Sequence, residues 1–232
     1  MAQALLIFIA CIQFLPITWG KILFIRFSID TEDLDIFSYF HDSQGDFYVD
    51  VGGYDALFAS NTARLDWDGL NVEAHPQRHR WLVASRPHQV NVRRAVTNST
   101  GEVIHLATLT EDSMASVDKV FLEQNKQLNT GKSVNVETMT MSDLCHKYYP
   151  KKPKLMSVDI EGHGLVALQS NDWDDDKCVA DVLLAETLFT KQANQQQEDF
   201  LKSKGYVLKK STNLNQLYLH SSKIDEYQAK EK

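Results

Sequence analysis

The chain has 232 residues, of which 43% are hydrophobic and 24% are charged, so it can bury a full core. This composition excludes disorder, a collagen-like repeat or a coiled coil as a description of the whole. The formal net charge of −7 disfavours a protein that holds nucleic acid by general electrostatics, and we expect no nucleic-acid partner. Three cysteines, Cys11, Cys145 and Cys178, are too few and too scattered for a disulfide scaffold or a zinc finger.

A hydrophobic segment over residues 1–27 differs sharply from the rest of the chain. Residues 4–15 are apolar apart from one glutamine, and no charged side chain occurs before Lys21. The small residues Thr18 and Gly20 resemble the positions that a signal peptidase inspects. The segment therefore predicts a signal peptide or a membrane anchor, and a buried N-terminal strand or helix is the alternative.

The location of the protein depends on which interpretation is right. If residues 1–20 are a signal, the chain is secreted or membrane-anchored, with residues 4–25 associating with the membrane. Asn98-Ser99-Thr100 is then a usable glycosylation sequon, and Cys145 and Cys178 remain as two cysteines that could be free or paired. If residues 1–20 are not a signal, the protein is cytoplasmic and the sequon has no meaning.

Short β-type runs alternate with helix-type stretches from about residue 30 onward. Five runs rich in β-branched and aromatic residues and two that resemble a closing hairpin are residues 47–51, 70–73, 90–96, 155–160, 179–185, 206–208 and 216–219. Helical spacing occurs over residues 78–85, after Pro76, and over residues 198–204, before Gly205. The alternation predicts an α/β fold with a mostly parallel sheet.

The chain is predicted to hold one domain, over residues 28–222, followed by a charged tail over residues 223–232. Residues 105–135 show the weakest pattern, and we expect an insertion or a lid there.

Acidic residues follow the predicted strands, at the edge where a parallel α/β sheet binds ligands. Asp50 and Asp55 flank a turn made by Gly52 and Gly53, which would let a ligand approach the backbone and lead into a helix. Glu73 comes 20 residues after Gly53, a spacing typical of a carboxylate that accepts hydrogen bonds from an adenosine ribose.

The glycine turn lacks the patterns that bind phosphate. The three glycines of a dinucleotide fingerprint are absent, and the Gly-Lys-Ser at residues 131–133 lacks the earlier glycine of a P-loop. Two aspartates beside the turn would repel a pyrophosphate and attract a cation. The sequence therefore favours S-adenosylmethionine, the adenosine cofactor that carries a positive centre.

Three segments resemble motifs of FkbM-type methyltransferases. They span residues 47–62, 68–73 and 157–173, and the likeness extends from about residue 45 to about residue 220. The resemblance implies a class I, Rossmann-like methyltransferase fold with a seven-stranded sheet and helices on both faces. It also implies S-adenosylmethionine-dependent O-methylation of a hydroxyl on a small-molecule or glycan acceptor.

Departures from the family pattern leave an alternative function open. Ala56, Ala74 and Thr97-Asn98 differ from what members of the family usually carry. A non-catalytic, methyltransferase-like binding protein of the secretory pathway or the membrane is therefore the rival hypothesis.

The predicted site combines the strand ends with the resemblance. Asp159 is the first candidate for the base or substrate contact and His163 the second. Glu161 is expected to contact the substrate or to cap the following helix. No metal site is predicted, although Asp159, Glu161 and His163 could instead hold a divalent ion. The predicted cofactor-binding residues are Asp50, Gly52, Gly53, Asp55, Asn61, Glu73, Val96 and Asp159.

Overall fold

A computed structural model describes residues 27–29, 32–40, 43–109, 115–188 and 190–228. The predicted signal or anchor over residues 1–27, apart from residue 27, and residues 229–232 of the charged tail lie outside this part. None of the helices in the described ranges has the length and apolar character needed to cross a bilayer.

Eleven strands and seven α-helices make up the described part of the chain. The strands are β1 (Phe47–Val51), β2 (Asp68–Val72), β3 (Val90–Val92), β4 (Ala95–Val96), β5 (Val103–Leu109), β6 (Ala115–Ser116), β7 (Asn129–Met139), β8 (Leu155–Val158), β9 (Val182–Glu186), β10 (Tyr206–Ser211) and β11 (Asn215–His220). The helices are α1 (Glu32–Phe40), α2 (Pro76–Ser85), α3 (Lys119–Gln124), α4 (Met141–Tyr148), α5 (Gly164–Gln169), α6 (Lys191–Ser203) and α7 (Ile224–Gln228). Single 3-10 turns lie at Lys126–Leu128, Asp176–Cys178 and Ser221–Lys223.

Seven strands form the main sheet in the order β10-β11-β9-β8-β1-β2-β3. The pairings from β9 to β3 are parallel, whereas β11 is antiparallel to both β9 and β10. The predicted closing hairpin is confirmed, and four of the six pairings are parallel, but the antiparallel strand β11 makes the sheet a mixed one. The reason is that a short hairpin connection can only join antiparallel strands.

The two faces of the main sheet bury separate cores. Alternation along β1 places Phe47, Val49 and Val51 in one core and Tyr48 in the other. Helices α4, α5 and α6 contribute to the first core, and α1 and α7 contribute to the second. Helices therefore cover both faces of the sheet.

A second, four-stranded sheet has the order β4-β7-β5-β6. Its strands β5, β6 and β7 include much of the described part of residues 105–135, where we expected an insertion or a lid. The single strand predicted over residues 90–96 is wrong, because these residues form two strands, β3 and β4, in different sheets. The strand pairing is interrupted at Arg93-Arg94, because Ala95 and Val96 pair with β7 whereas β3 pairs with β2.

The helix predicted after the glycine turn is wrong, since only turns connect β1 to β2. The Asp55 carboxylate accepts the backbone N–H groups of Leu57 and Phe58 at 2.8 and 2.9 Å, which closes a tight turn. Ala59 then takes a left-handed conformation with φ of 53°, which a continuing helix could not accommodate.

Candidate active site

A cavity of about 510 Å³ lies at the carboxyl ends of the central strands. Gly52, Glu73, Asp159 and Glu186 line it where β1, β2, β8 and β9 end, and the small sheet forms a further wall. This volume falls within the range of about 300–1,000 Å³ typical of small-molecule sites. The cavity is therefore the candidate active site, at the edge of the sheet that the sequence indicates.

The glycine turn packs β1 tightly against the end of β8. Gly52 has a φ of 91°, and a Cβ added to it would lie 1.8 Å from the carbonyl oxygen of Asp159. The N–H groups of Gly52 and Gly53 both donate to the Val72 carbonyl oxygen, at 2.9 and 3.1 Å. Because both amides are already used, the turn offers no cradle for a phosphate.

Glu73 is held rigidly at the end of β2. Its Oε2 accepts the Tyr54 N–H at 3.2 Å, and its Oε1 accepts the His75 N–H at 2.6 Å. Burial raises the pKa of Glu73, and the N–H of His75 and the charge of Arg78 oppose that rise. Each carboxylate oxygen keeps a lone pair after its backbone bond, so Glu73 can accept two more hydrogen bonds from a ligand in the cavity.

Four predicted cofactor residues lie outside the cavity lining, namely Asp50, Gly53, Asp55 and Asn61. Asp50 accepts the Thr62 hydroxyl at 2.7 Å, and Asn61 donates from Nδ2 to the Ser157 hydroxyl at 3.3 Å. Burial raises the pKa of Asp50, and the positive charge of Arg86 opposes the rise. Asp55 closes the turn after β1, as described above. The side chains of Asp50, Asp55 and Asn61 are thus occupied by contacts within the protein.

Sequence reasoning missed Arg86, which organises this polar layer. Its guanidinium is buried and lies 3.8 Å from the Asp50 carboxylate. It donates hydrogen bonds to five oxygens at 2.6–3.1 Å, on Tyr48, Ala56, Ser60, Thr62 and Asn71. In the sequence the residue stands in a polar stretch before Pro87, and nothing local distinguishes it from a solvated arginine.

Asp159 follows β8, and its N–H donates to the Val51 carbonyl at 2.9 Å. Burial, reinforced by the negative charges of Asp50 and Glu32, raises the pKa of Asp159 to about 7. A carboxyl group that titrates near neutral pH is suited to accept a proton from a substrate.

Glu186 is a buried acid beside the half-buried Asp159. Its Oε2 accepts the Gly162 N–H at 2.8 Å, and burial together with the Asp159 charge raises the pKa of Glu186 well above its usual range. Glu186 is absent from the predicted site, although it directly follows the strand predicted over residues 179–185. The rule that selected Asp159 would also have selected Glu186.

Glu161 and His163 lie on the loop that follows Asp159, and both line the cavity. Glu161 has a φ of 55°, and its carbonyl accepts the Ser116 hydroxyl at 2.7 Å, which ties the small sheet to this loop. The N-cap of α5 is His163 rather than Glu161. Burial lowers the pKa of His163, and its Nε2 is buried with no hydrogen-bond partner among the described residues.

The remaining walls are apolar above Glu73 and acidic around Asp159. Val96 lines the cavity and belongs to an apolar group with Val72, Ala95, Leu106, Ala115 and Val117. The lining acids are Glu73, Asp159, Glu161 and Glu186, and the lining arginines are Arg78 and Arg94. The lining acids outnumber the lining arginines, and Arg94 is paired with Glu137 at 2.8 Å. A cationic ligand would favour the ionised forms of Asp159 and Glu186, whose pKa values are raised by burial.

A mixed α/β sheet with a cavity at the carboxyl ends of its parallel strands defines the class of open α/β folds, which bind ligands at that edge. The model of the methyltransferase FkbM domain matches residues 50–208, which is more than half of the chain. The chain therefore belongs to the FkbM methyltransferase family, and the resemblance seen in the sequence is confirmed.

Two solved structures are similar to most of the chain. PH1948 from Pyrococcus horikoshii, named as a candidate RNA methyltransferase, is 10% identical with a TM-score of 0.46, covering 82% of this chain and 80% of that one. A human methyltransferase 10 domain containing protein is 9% identical with a TM-score of 0.41, covering 88% of this chain and 86% of its own. No curated relative matches the chain.

Proposed function

We propose that the chain is an S-adenosylmethionine-dependent methyltransferase that methylates a hydroxyl on a small molecule or a glycan. The observation that carries the proposal is the acidic cavity beside a glycine turn whose amides are already hydrogen-bonded. Such a cavity disfavours the phosphates of a dinucleotide and favours an adenosine ligand with a positive charge.

The residues at the cavity fit S-adenosylmethionine. Glu73 would accept the two ribose hydroxyls, since each of its oxygens is held by one backbone N–H and retains a lone pair. Val72 and Val96 offer an apolar surface for the adenine, and Glu186 offers a carboxyl group whose ionised form the positive charge of the cofactor would favour. When bound, this cofactor supplies a methyl group that its positive sulfur has already activated.

The chain itself would position the acceptor and receive its proton. Asp159 is the first candidate for this role because it lines the cavity and its pKa is about 7. The acceptor hydroxyl would lose its proton to the Asp159 carboxylate as the new oxygen–carbon bond forms. His163 is the second candidate, since its Nε2 is buried without a hydrogen-bond partner among the described residues.

The Asp159→Asn variant tests this assignment, because it keeps the side-chain shape and removes the basicity. We expect kcat to fall by about 10² to 10⁴ with little change in cofactor affinity. An acceptor is first found by screening hydroxylated metabolites and glycans with a methyl-labelled donor. Glu102→Gln changes an exposed acid outside the cavity and should keep the unmutated rate.

Three other results would change the proposal. If Asp159→Asn transfers methyl at the unmutated rate, Asp159 is not the base and His163 becomes the candidate. Loss of cofactor binding in a folded Asp159→Asn protein would assign Asp159 to the cofactor site. Failure of the unmutated chain to bind the cofactor at all would support the non-catalytic binding protein instead.

A further inference from the structure

A disulfide bond lies in the core, away from the cavity. It joins Cys145 on α4 to Cys178 in the 3-10 turn Asp176–Cys178, with the two Cα atoms 5.6 Å apart. Both side chains are fully buried among the apolar residues that cover one face of the main sheet. The structure thereby decides between the free and the paired cysteines that the sequence left open.

A buried disulfide of this kind indicates the compartment in which the chain folds. Disulfides form and persist in secretory and extracellular compartments, whereas glutathione and thioredoxin keep most cytosolic thiols reduced. This bond links two segments that are 33 residues apart in the sequence, and neither cysteine lines the cavity. It is therefore a structural crosslink and not part of the candidate active site.

The glycosylation sequon Asn98-Ser99-Thr100 provides a second, independent observation. It lies in the bend between β4 and β5, where the side chains of Asn98 and Thr100 are exposed. The bend is well fixed: the Ser99 N–H donates to the Thr97 hydroxyl at 3.2 Å, and the Thr140 N–H donates to the Thr100 hydroxyl at 2.9 Å. Asn98 is not among the cavity-lining residues, so a glycan there would extend into solvent.

We propose that the chain folds in the glycosylating, oxidising compartment of the secretory pathway, with Cys145 and Cys178 joined and Asn98 carrying an N-linked glycan. The two thiols lose two protons and two electrons to a disulfide-bearing oxidoreductase, which is reduced to its dithiol. The Asn98 amide nitrogen forms a bond to the first sugar of a lipid-linked oligosaccharide, losing a proton as the lipid diphosphate leaves. The predicted signal or anchor lies outside the described residues, and neither observation depends on it.

The test uses the full chain with a C-terminal tag, expressed in cultured animal cells, in the unmutated form and as Asn98→Gln and Thr100→Ser. Cells are lysed in denaturant with an alkylating reagent, so that free thiols are trapped before they can oxidise. Peptide mass spectrometry then determines whether Cys145 and Cys178 are alkylated or disulfide-bonded. Treatment with a peptide N-glycosidase detects the glycan as a change in gel mobility. Thr100→Ser is the matched control, because it changes the same bend but keeps a valid sequon.

We expect the unmutated chain and Thr100→Ser to shift on glycosidase treatment and Asn98→Gln to run at the deglycosylated position. Alkylation at Cys145 and Cys178 should occur only after reduction. Two alkylated cysteines without reductant, together with no glycosidase shift, would overturn the proposal. A disulfide without the glycan would overturn the assignment of Asn98, and a glycan without the disulfide would overturn the structural crosslink. The proposal does not rest on methyl transfer, so its failure leaves the proposed function untouched.

Discussion

Replacing Asp159 by Asn should make the folded chain more stable at alkaline pH, although the same change is expected to remove activity. Asp159 carries a carboxyl group whose pKa rises to about 7 because of burial and the nearby Asp50 and Glu32. Ionising it in the folded chain is therefore unfavourable. Asparagine has nearly the same shape and needs no ionisation, so it avoids this cost.

The sign of the effect follows from the two pKa values. In the folded chain the pKa of Asp159 is about 7, whereas its ordinary value is 3.8, so the folded state binds the proton more tightly. The stabilisation that this proton provides is complete below about pH 4 and is lost as the pH rises through about 7. In the limit of complete burial the shift corresponds to about 4 kcal/mol at alkaline pH. Because Asp159 is only half-buried and faces a cavity, we expect about 1–3 kcal/mol.

The assay is urea unfolding of both proteins at about pH 4.5 and about pH 8, with the free energies of unfolding compared at each pH. The free energy of unfolding of Asp159→Asn should be higher than that of the unmutated chain at about pH 8, and the two values should be similar at about pH 4.5. Asp143→Asn is the control, because hydrogen bonds from Thr100 and Thr140 lower the pKa of this exposed acid. This variant should therefore be less stable than the unmutated chain at about pH 8. A stability difference at Asp159 that does not change with pH, or a less stable variant at about pH 8, would refute the reasoning.

Two further predictions concern the backbone and the crosslink. Gly52→Ala should destabilise the fold by more than about 3 kcal/mol, because the added Cβ would lie 1.8 Å from the Asp159 carbonyl oxygen. Gly101→Ala, with a similar φ of 84° and no atom within 4 Å, should cost only about 1 kcal/mol, and equal thermal shifts for the two would contradict the close approach. Replacing both Cys145 and Cys178 by Ala should cost about 2–4 kcal/mol in denaturant unfolding without reductant, and an unchanged midpoint would show that the bond adds no stability.

Local patterns in the sequence predict the parts of the site that lie directly at strand ends. The run before Gly52 alternates between two buried faces, and Glu73 and Asp159 follow β2 and β8, the strands on either side of β1. That each acid follows a strand depends only on short-range periodicity and turn residues. Glu186 follows from the same rule. The strand-end position of each of these residues can be recognised without any knowledge of distant contacts.

The features that could not be predicted depend on contacts between distant segments. The alternation over residues 90–96 is that of one strand, and the break within it arises because β7, some forty residues later, takes Ala95 and Val96 as partners. The turns after Gly53 are fixed in part by Arg86, whose guanidinium binds the Ala56 carbonyl at 2.8 Å. A charged residue in a polar loop gives no local signal that it will be buried.

The central claim is that the acidic cavity holds the adenosine cofactor through Glu73. Calorimetric titration of the purified chain with S-adenosylhomocysteine, the demethylated product, tests this claim without knowledge of the acceptor. Glu73→Gln is compared with Glu102→Gln, which changes an exposed acid, and circular dichroism confirms that each variant is folded.

We expect the unmutated chain and Glu102→Gln to bind the product with the same affinity. Glu73→Gln should bind about 30- to 700-fold more weakly, which corresponds to the loss of about 2–4 kcal/mol from two charge-assisted hydrogen bonds. No binding by the unmutated chain at millimolar product, or equal binding by folded Glu73→Gln, would contradict the account.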